Sequence, residues 1–234
     1  MFPINKYYNT YPYYFGYWGY DGYMGYNPMM QSCFCKKSYL RVLNTFDVPL
    51  DVQVNEIIMA EDLNMGEFTK YIKLAPGSYH VLIYKSGENE VLFESEIDID
   101  NNLVYTGVIS ADDKDFKDIC LLMVPEEKEK HMTGNMSALR IANLSVDTPE
   151  VLVSTSDGTV IFDCLKYGNA SCNVALPSRK YQLIFKTLDG NSILESKMDF
   201  APKMHYTLFL TGRQEDGSIK IILPEDGVNY LDLC

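Results

Sequence analysis

An internal duplication constrains this chain more than any other feature. Ser38-Tyr39-Leu40-Arg41-Val42-Leu43-Asn44 returns as Ser137-Ala138-Leu139-Arg140-Ile141-Ala142-Asn143. With a few gaps allowed, Pro49 meets Pro149 and the run from Leu63 to Gly66 meets that from Leu165 to Gly168. Leu74, Tyr79, Glu94, Ser95 and Asp98 meet Leu176, Tyr181, Glu195, Ser196 and Asp199, and Tyr105-Thr106 meets Tyr206-Thr207. Val124-Pro125-Glu126 closes the first unit as Leu223-Pro224-Glu225 closes the second. A period of roughly a hundred residues exceeds that of a solenoid repeat and suits one small domain. The 234 residues are therefore expected to hold two copies, each large enough to bury its own core without metals or disulfides.

Within each copy the apolar residues alternate rather than recur at helical spacing. Leu40-Arg41-Val42 and Leu139-Arg140-Ile141 place aliphatic side chains two apart, on one face of a strand, with arginine on the other. Residues 51–54, 71–74, 79–84 and 96–99 repeat this period, and Ala75-Pro76-Gly77-Ser78 and Gly87-Glu88-Asn89 are turns. Leu103 to Ile109 and Ile119 to Val124 complete seven or eight short strands per unit, the spacing of an antiparallel sandwich. The class expected is all-β, two tandem antiparallel β-sandwiches preceded by a low-complexity arm. The domains read as an arm over 1–37, a first sandwich over 38–126, a charged linker over 127–136, and a second sandwich with a short C-terminal tail over 137–234.

The arm differs in composition from all that follows. Tyr7, Tyr8, Tyr11, Tyr13, Tyr14, Tyr17, Tyr20, Tyr23 and Tyr26 dominate it, and Gly16, Gly19, Gly22 and Gly25 fall every third residue. Glycine raises the entropic cost of ordering the backbone, while tyrosine offers stacking rings with a polar tip. Two readings follow: a sticky arm that drives assembly, or a loose terminus. Cys33 and Cys35 close the arm and Cys234 ends the chain, so thiols at both ends are candidates for cross-linking. Cys164 and Cys172 flank a short loop of the second unit only, with Asp62 and Lys70 at the matching places. They are either a local disulfide or two reduced thiols. Cys120 sits in an apolar strand and reads as core.

The net charge of −12 disfavours nucleic acid and anionic membrane surfaces as partners. No run approaches the roughly 18 apolar residues of a membrane-spanning helix, so no membrane insertion is expected. Lys6 is followed by no apolar signal core, so the chain is expected to be made in the cytoplasm without a signal peptide. Only His80, His131 and His205 exist, none in a catalytic motif, and Asp98 to Asn102 fails as a calcium loop because Leu103 and Ile109 stand where glycine and glutamate are required. No catalytic residue, cofactor or metal ligand is expected. Arg41 and Arg140 read as outward-facing strand residues paired with cross-strand carboxylates, Asn44 and Asn143 as residues of a strand-ending turn, and Asp112 to Asp115 as a solvated hairpin tip.

Leu-Arg-Val-Leu-Asn, a proline-led strand over Pro49 to Val54, and Leu74-Ala75-Pro76-Gly77-Ser78-Tyr79 with its alternating Val and Leu together resemble the DUF4397 family of β-sandwich domains. The second unit keeps Leu139 to Asn143 and Tyr181 but has Pro177-Ser178-Arg179-Lys180 at the turn. The resemblance implies an immunoglobulin-like or transthyretin-like sandwich, common in bacterial envelope proteins, and no catalytic residues. The Tyr/Gly arm with its cysteines is similar in composition to the ends of bacterial spore-coat and exosporium proteins. The function expected is therefore a non-enzymatic structural protein of a spore coat or surface layer, self-associating or binding other coat proteins. The alternative is a glycan- or peptide-binding adhesion module of the envelope.

Overall fold

The computed structural model describes residues 7–9, 36–111, 118–126, 132, 134–148 and 150–233. Their order is β1 Tyr7–Asn9, β2 Ser38–Asn44, β3 Leu50–Val54, β4 Ile57–Leu63, β5 Ile72–Leu74, β6 Gly77–Lys85, β7 Val91–Ile99, β8 Val104–Ala111 and β9 Ile119–Glu126. The second copy follows with β10 Met136–Asn143, β11 Glu150–Thr155, β12 Val160–Lys166, β13 Val174–Pro177, β14 Lys180–Lys186, β15 Ser192–Asp199, β16 His205–Thr211 and β17 Lys220–Ile222. A single 3₁₀ turn over Gly227–Asn229 follows β17. Among the described residues no helix is long and apolar enough to cross a membrane.

Four sheets result. The first copy builds β4-β3-β6-β7 and β1-β9-β8-β2-β5, and the second builds β12-β11-β14-β15 and β13-β10-β16-β17. The all-β tandem sandwich expected from the alternation is what forms. One detail differs from an antiparallel pattern throughout: β2 lies parallel to β8, and β10 parallel to β16. Intervening strands cross to the other sheet and back, and such a crossover is what a parallel neighbour requires. Even the irregularities are duplicated. The β3/β4 and β11/β12 ladders both slip in register, with Asp62 and Cys164 at φ of 59° and 48°.

Each copy packs its own core between its two sheets. Leu40, Val42, Tyr105, Leu121 and Met123 meet Val52, Val81, Ile83, Phe93 and Ile97 in the first. Leu139, Ile141, Leu208 and Leu210 meet Val153, Leu183, Phe185 and Met198 in the second. The reverse sides of the two central sheets pack on each other. There Leu43, Val108, Cys120, Leu122 and Val124 meet Ala142, Leu144 and Phe209. The molecule is thus a stack of four sheets, with an outer sheet from each copy at either end. This third apolar layer explains why all eight residues of β8 and of β9 are buried, since a strand covered on both faces has no polar side.

Of the arm, only Tyr7–Asn9 falls within the described residues, as backbone paired parallel to Leu121–Met123. The cross-linking candidates Tyr11, Tyr13, Tyr14, Tyr17, Tyr20, Tyr23, Tyr26, Cys33, Cys35 and Cys234 lie outside them, as do Asp112 to Asp115 and His131. Cys120 is buried as expected, facing the second copy beside Tyr167. Cys164 and Cys172 are exposed free thiols, so the disulfide considered from their spacing is not formed in this structure.

Candidate functional site

Arg41 and Arg140 do not face solvent. They are 5% and 3% exposed, at the end of the layer between the two copies. Alternation does turn them away from their own cores, as expected. The face they turn to is covered by another sheet, and this overturns the outward-facing reading.

Around Arg41 a network closes. Its Nε donates to Thr106 Oγ1 (2.9 Å), its Nη2 to Glu126 Oε1 (3.3 Å), and its Nη1 to the backbone carbonyl of Glu225 (3.1 Å). Thr106 Oγ1 donates onward to Glu126 (3.1 Å), and the Tyr71 hydroxyl donates to the same carboxylate oxygen. The other Glu126 oxygen accepts from Val228 N (3.3 Å). The guanidinium lies 4.6 Å from the Phe68 ring centroid and 4.7 Å from that of Tyr71, a double cation–π contact. A buried arginine needs this many partners, because an uncompensated interior charge costs several kcal/mol.

The second copy reproduces half of this arrangement. Arg140 Nε donates to Thr207 Oγ1 (2.8 Å), which donates to Asp226 Oδ2 (2.8 Å). Phe68 and Tyr71 are replaced by Ala170 and Asn173, as the matched pairings of β5 and β13 show. Arg140 therefore lacks the aromatic clamp, and its Nη2 is buried without a hydrogen-bond partner among the described residues. The sequence match of Glu126 with Glu225 also slips by one residue. Glu225 contributes only its carbonyl, and Asp226, 2% exposed, supplies the carboxylate.

Asp226 lies 4.0 Å from Arg41 and shares the enclosure with Glu126. Burial, then the Glu126 charge, push its carboxyl up to about 6, against the opposing pull of Arg140, the Thr207 hydrogen bond and Arg41. Burial and Glu126 likewise hold the Tyr71 hydroxyl far above its usual value. Gly227 N donates to the Tyr71 oxygen (3.1 Å), and Tyr230 meets the Tyr71 ring edge-on. Lys37 pairs with Asp232 at 2.6 Å. The segment read as a tail of the second sandwich is thus fastened across the first. The repeated arginines were visible in the sequence. Their role was not, although the unbroken apolar run of β9 signalled a second covered face.

The remaining sequence candidates are elsewhere. Asn44 and Asn143 do end β2 and β10, each buried, with Nδ2 donating to two carbonyls: those of Val48 and Leu63, and those of Thr148 and Leu165. His80 lies on the outer face of the first copy, 2.8 Å from Glu94. His205 is buried near Asn229. Among the described residues no group of three or more His, Cys, Asp or Glu side chains could hold a metal ion. Open depressions lie on the two outer sheets. One of about 500 Å³ is bounded by Lys180, Tyr181, Gln182, Lys197, Met198 and Asp199. One of about 280 Å³ is bounded by residues including Asp51, Gln53, Ile58, Tyr84 and Glu88.

Fold and seam together define a tandem β-sandwich protein whose copies are fused face to face. The chain belongs to the DUF4397 family, a domain of unknown function that matches residues 38–154 and 137–231. A search of curated proteins finds no match. Among solved structures, the multi-modular glycogen-degrading pneumococcal virulence factor SpuA is similar at 12% identity and a TM-score of 0.25, over 83% of this chain and 22% of that one. This chain thus spans under a quarter of SpuA's length. The family 26 carbohydrate-binding module of Eubacterium rectale Amy13K, in complex with maltoheptaose, is similar at 9% identity and a TM-score of 0.26, over 82% and 97%. A family 41 module from streptococcal virulence factors is similar at 10% and 0.25, over 83% and 99%. Scores this low carry no argument about function.

Proposed function

We propose that this is a non-enzymatic structural protein, a rigid double-sandwich spacer that assembles with copies of itself or with other proteins of a surface layer such as a bacterial spore coat. The observation that carries the reading is where the duplicated charged residues are used. Arg41, Thr106 and Glu126 of the first copy and Arg140, Thr207 and Asp226 of the second form two buried clusters. The copies are joined where Arg41 reaches the Glu225 carbonyl and Asp226 and where Glu126 accepts from Val228 N. Two sandwiches locked in this way form one stiff body that transmits position rather than closing on a ligand. The tyrosine arm, with Cys33, Cys35 and Cys234, supplies the groups that stack and cross-link.

The test is to tag the protein in the bacterium that makes it and follow it through growth and sporulation. Appearance in sporulating cells and retention in an insoluble coat fraction is the expected result. A protein that stays soluble throughout sinks the reading.

A ligand-binding role is the second reading, favoured by the depression at Lys180 to Asp199, where the Arg179 guanidinium lies 4.9 Å from the Tyr181 ring. A thermal-shift screen with sugars and peptides that raises the melting temperature, and loses that rise in Lys197→Ala, supports it.

A further inference from the structure

The two outer sheets occupy equivalent places in the duplication, yet their solvent faces carry different charge. On the first copy, alternation turns Asp51, Gln53, Ser78, His80, Leu82, Tyr84, Glu94, Glu96 and Asp98 outward, opposite the core residues Val52, Val81, Ile83, Phe93 and Ile97. Lys85, at the end of β6, is in phase with the inward set and pairs with Glu88. The face is acidic, and no lysine or arginine of these four strands shares it.

The second copy departs from this residue by residue. The pairing His80 with Glu96 becomes Gln182 with Lys197, Ser78 with Asp98 becomes Lys180 with Asp199, and Tyr84 becomes Lys186. Asp51 becomes Leu152. Glu150 is matched by Lys166 (3.6 Å), Asp199 by Lys180 (4.0 Å), and Glu195 by the Gln182 amide (2.9 Å). Lys186 and Lys197 pair with no carboxylate among the described residues. On the second face Lys166, Lys180, Lys186 and Lys197 thus balance Glu150, Asp163, Glu195 and Asp199, with Lys186 and Lys197 outside these ion pairs, where the first face carries acids without lysine or arginine.

Apolar residues did not diverge in the same way. Ile58 on β4 and Val160 on β12 occupy matching positions, opposite Gln53 and Ser154, and are 63% and 52% exposed. Leu82 is matched by Ile184. Each outer face thus exposes apolar side chains whose burial in a contact would be stabilising.

We propose that the acidic β4-β3-β6-β7 face of one molecule docks on the lysine-bearing β12-β11-β14-β15 face of a second copy. Because the two faces lie at opposite ends of the four-sheet stack, the contact is head to tail. A heterologous contact of this geometry does not close on itself and extends into rows. The inference deepens the assembly reading and rests on it, supplying the surface along which copies add.

The test is sedimentation velocity on the full chain at physiological ionic strength, with circular dichroism confirming the fold of each variant. The wild type should sediment above its 26.7 kDa monomer, with mean mass rising with concentration. Glu96→Lys/Asp98→Lys, and separately Lys186→Glu/Lys197→Glu, should each associate at least about tenfold more weakly, because like charges then meet across the contact. Mixing the two variants should restore association, since each offers the face that the other lost. If the wild type associates but neither variant weakens it, the docking surface is wrong while the assembly reading stands. A chain that is monomeric at every concentration removes both.

Discussion

Arg41 and Arg140 hold the same position in two copies of one fold, with different degrees of support. Arg41 is clamped by Phe68 and Tyr71 and answered by Glu126, Thr106 and a backbone carbonyl. Arg140 keeps the threonine bond, has Ala170 and Asn173 where the rings would be, and leaves Nη2 unpartnered among the described residues. A duplicated backbone therefore does not impose duplicated energetics. Both arginines are buried, and Arg140 is left with Thr207 and the charge of Asp226 as compensation where Arg41 has a full set of partners.

The largest expected effect tests that asymmetry directly. Arg41→Ala leaves Glu126 buried without its cation and should lower unfolding free energy by about 3–5 kcal/mol in urea at pH 7. Arg140→Ala removes one hydrogen bond and a longer-range attraction, and should lose about 1–3 kcal/mol. Equal losses would show the two sites to be equivalent.

Asp226 sharpens the comparison through pH. An acid whose folded value is raised binds its proton more tightly in the native state. Its stabilising contribution is fully present below the ordinary carboxylate value of 3.8 and is lost as pH rises through about 6. Asp226→Asn does not titrate, so its stability relative to wild type should grow from pH 4 to pH 7, by up to about 3 kcal/mol. Thermal melts across that range decide it, and a constant difference would refute it.

Gly227 probes the half that Tyr71 builds. A Cβ there would sit 2.7 Å from Leu231 Cδ1 and 2.8 Å from Tyr71 Cζ. Tyr71 is fixed by Glu126, so Gly227→Ala should lose about 1–3 kcal/mol through overpacking. The double variant with Tyr71→Asn, which copies the second module, should lose less than the two single changes combined, as double-mutant denaturation curves would show.

The smallest effect falls where the copies agree. Asp62 and Cys164 both take left-handed backbone at the same bulge, a conformation glycine adopts without strain. Asp62→Gly and Cys164→Gly should each change stability by no more than about 1 kcal/mol, and alike. A large difference between them in calorimetry would mean that the bulges are not equivalent.

Much of this molecule was legible in the sequence. The repeat of Ser38 to Asn44 located two modules, and the period of two in β2, β3 and β6 gave strands with Leu40, Val42, Val81 and Ile83 inward. Asn44 and Asn143 ended their strands as short polar side chains do. The seam was not legible, because alternation states which side chains share a face and is silent on what covers that face. The sequence match set Glu126 against Glu225, yet Asp226 supplies the acid, since a one-residue slip at the end of a strand exchanges faces.

By itself, then, the sequence determined the strands, the duplication and the inward half of each sheet, because these follow from local geometry and the burial of apolar surface. Only the tertiary structure decided that the reverse sides of two sheets bury each other, and so turned two arginines into a buried ionic seam. The physical reason is that the same strand alternation accommodates an arginine hydrated at the surface and one desolvated and paired with a carboxylate in a dry interface. Which of the two a given arginine becomes depends on residues a hundred positions away.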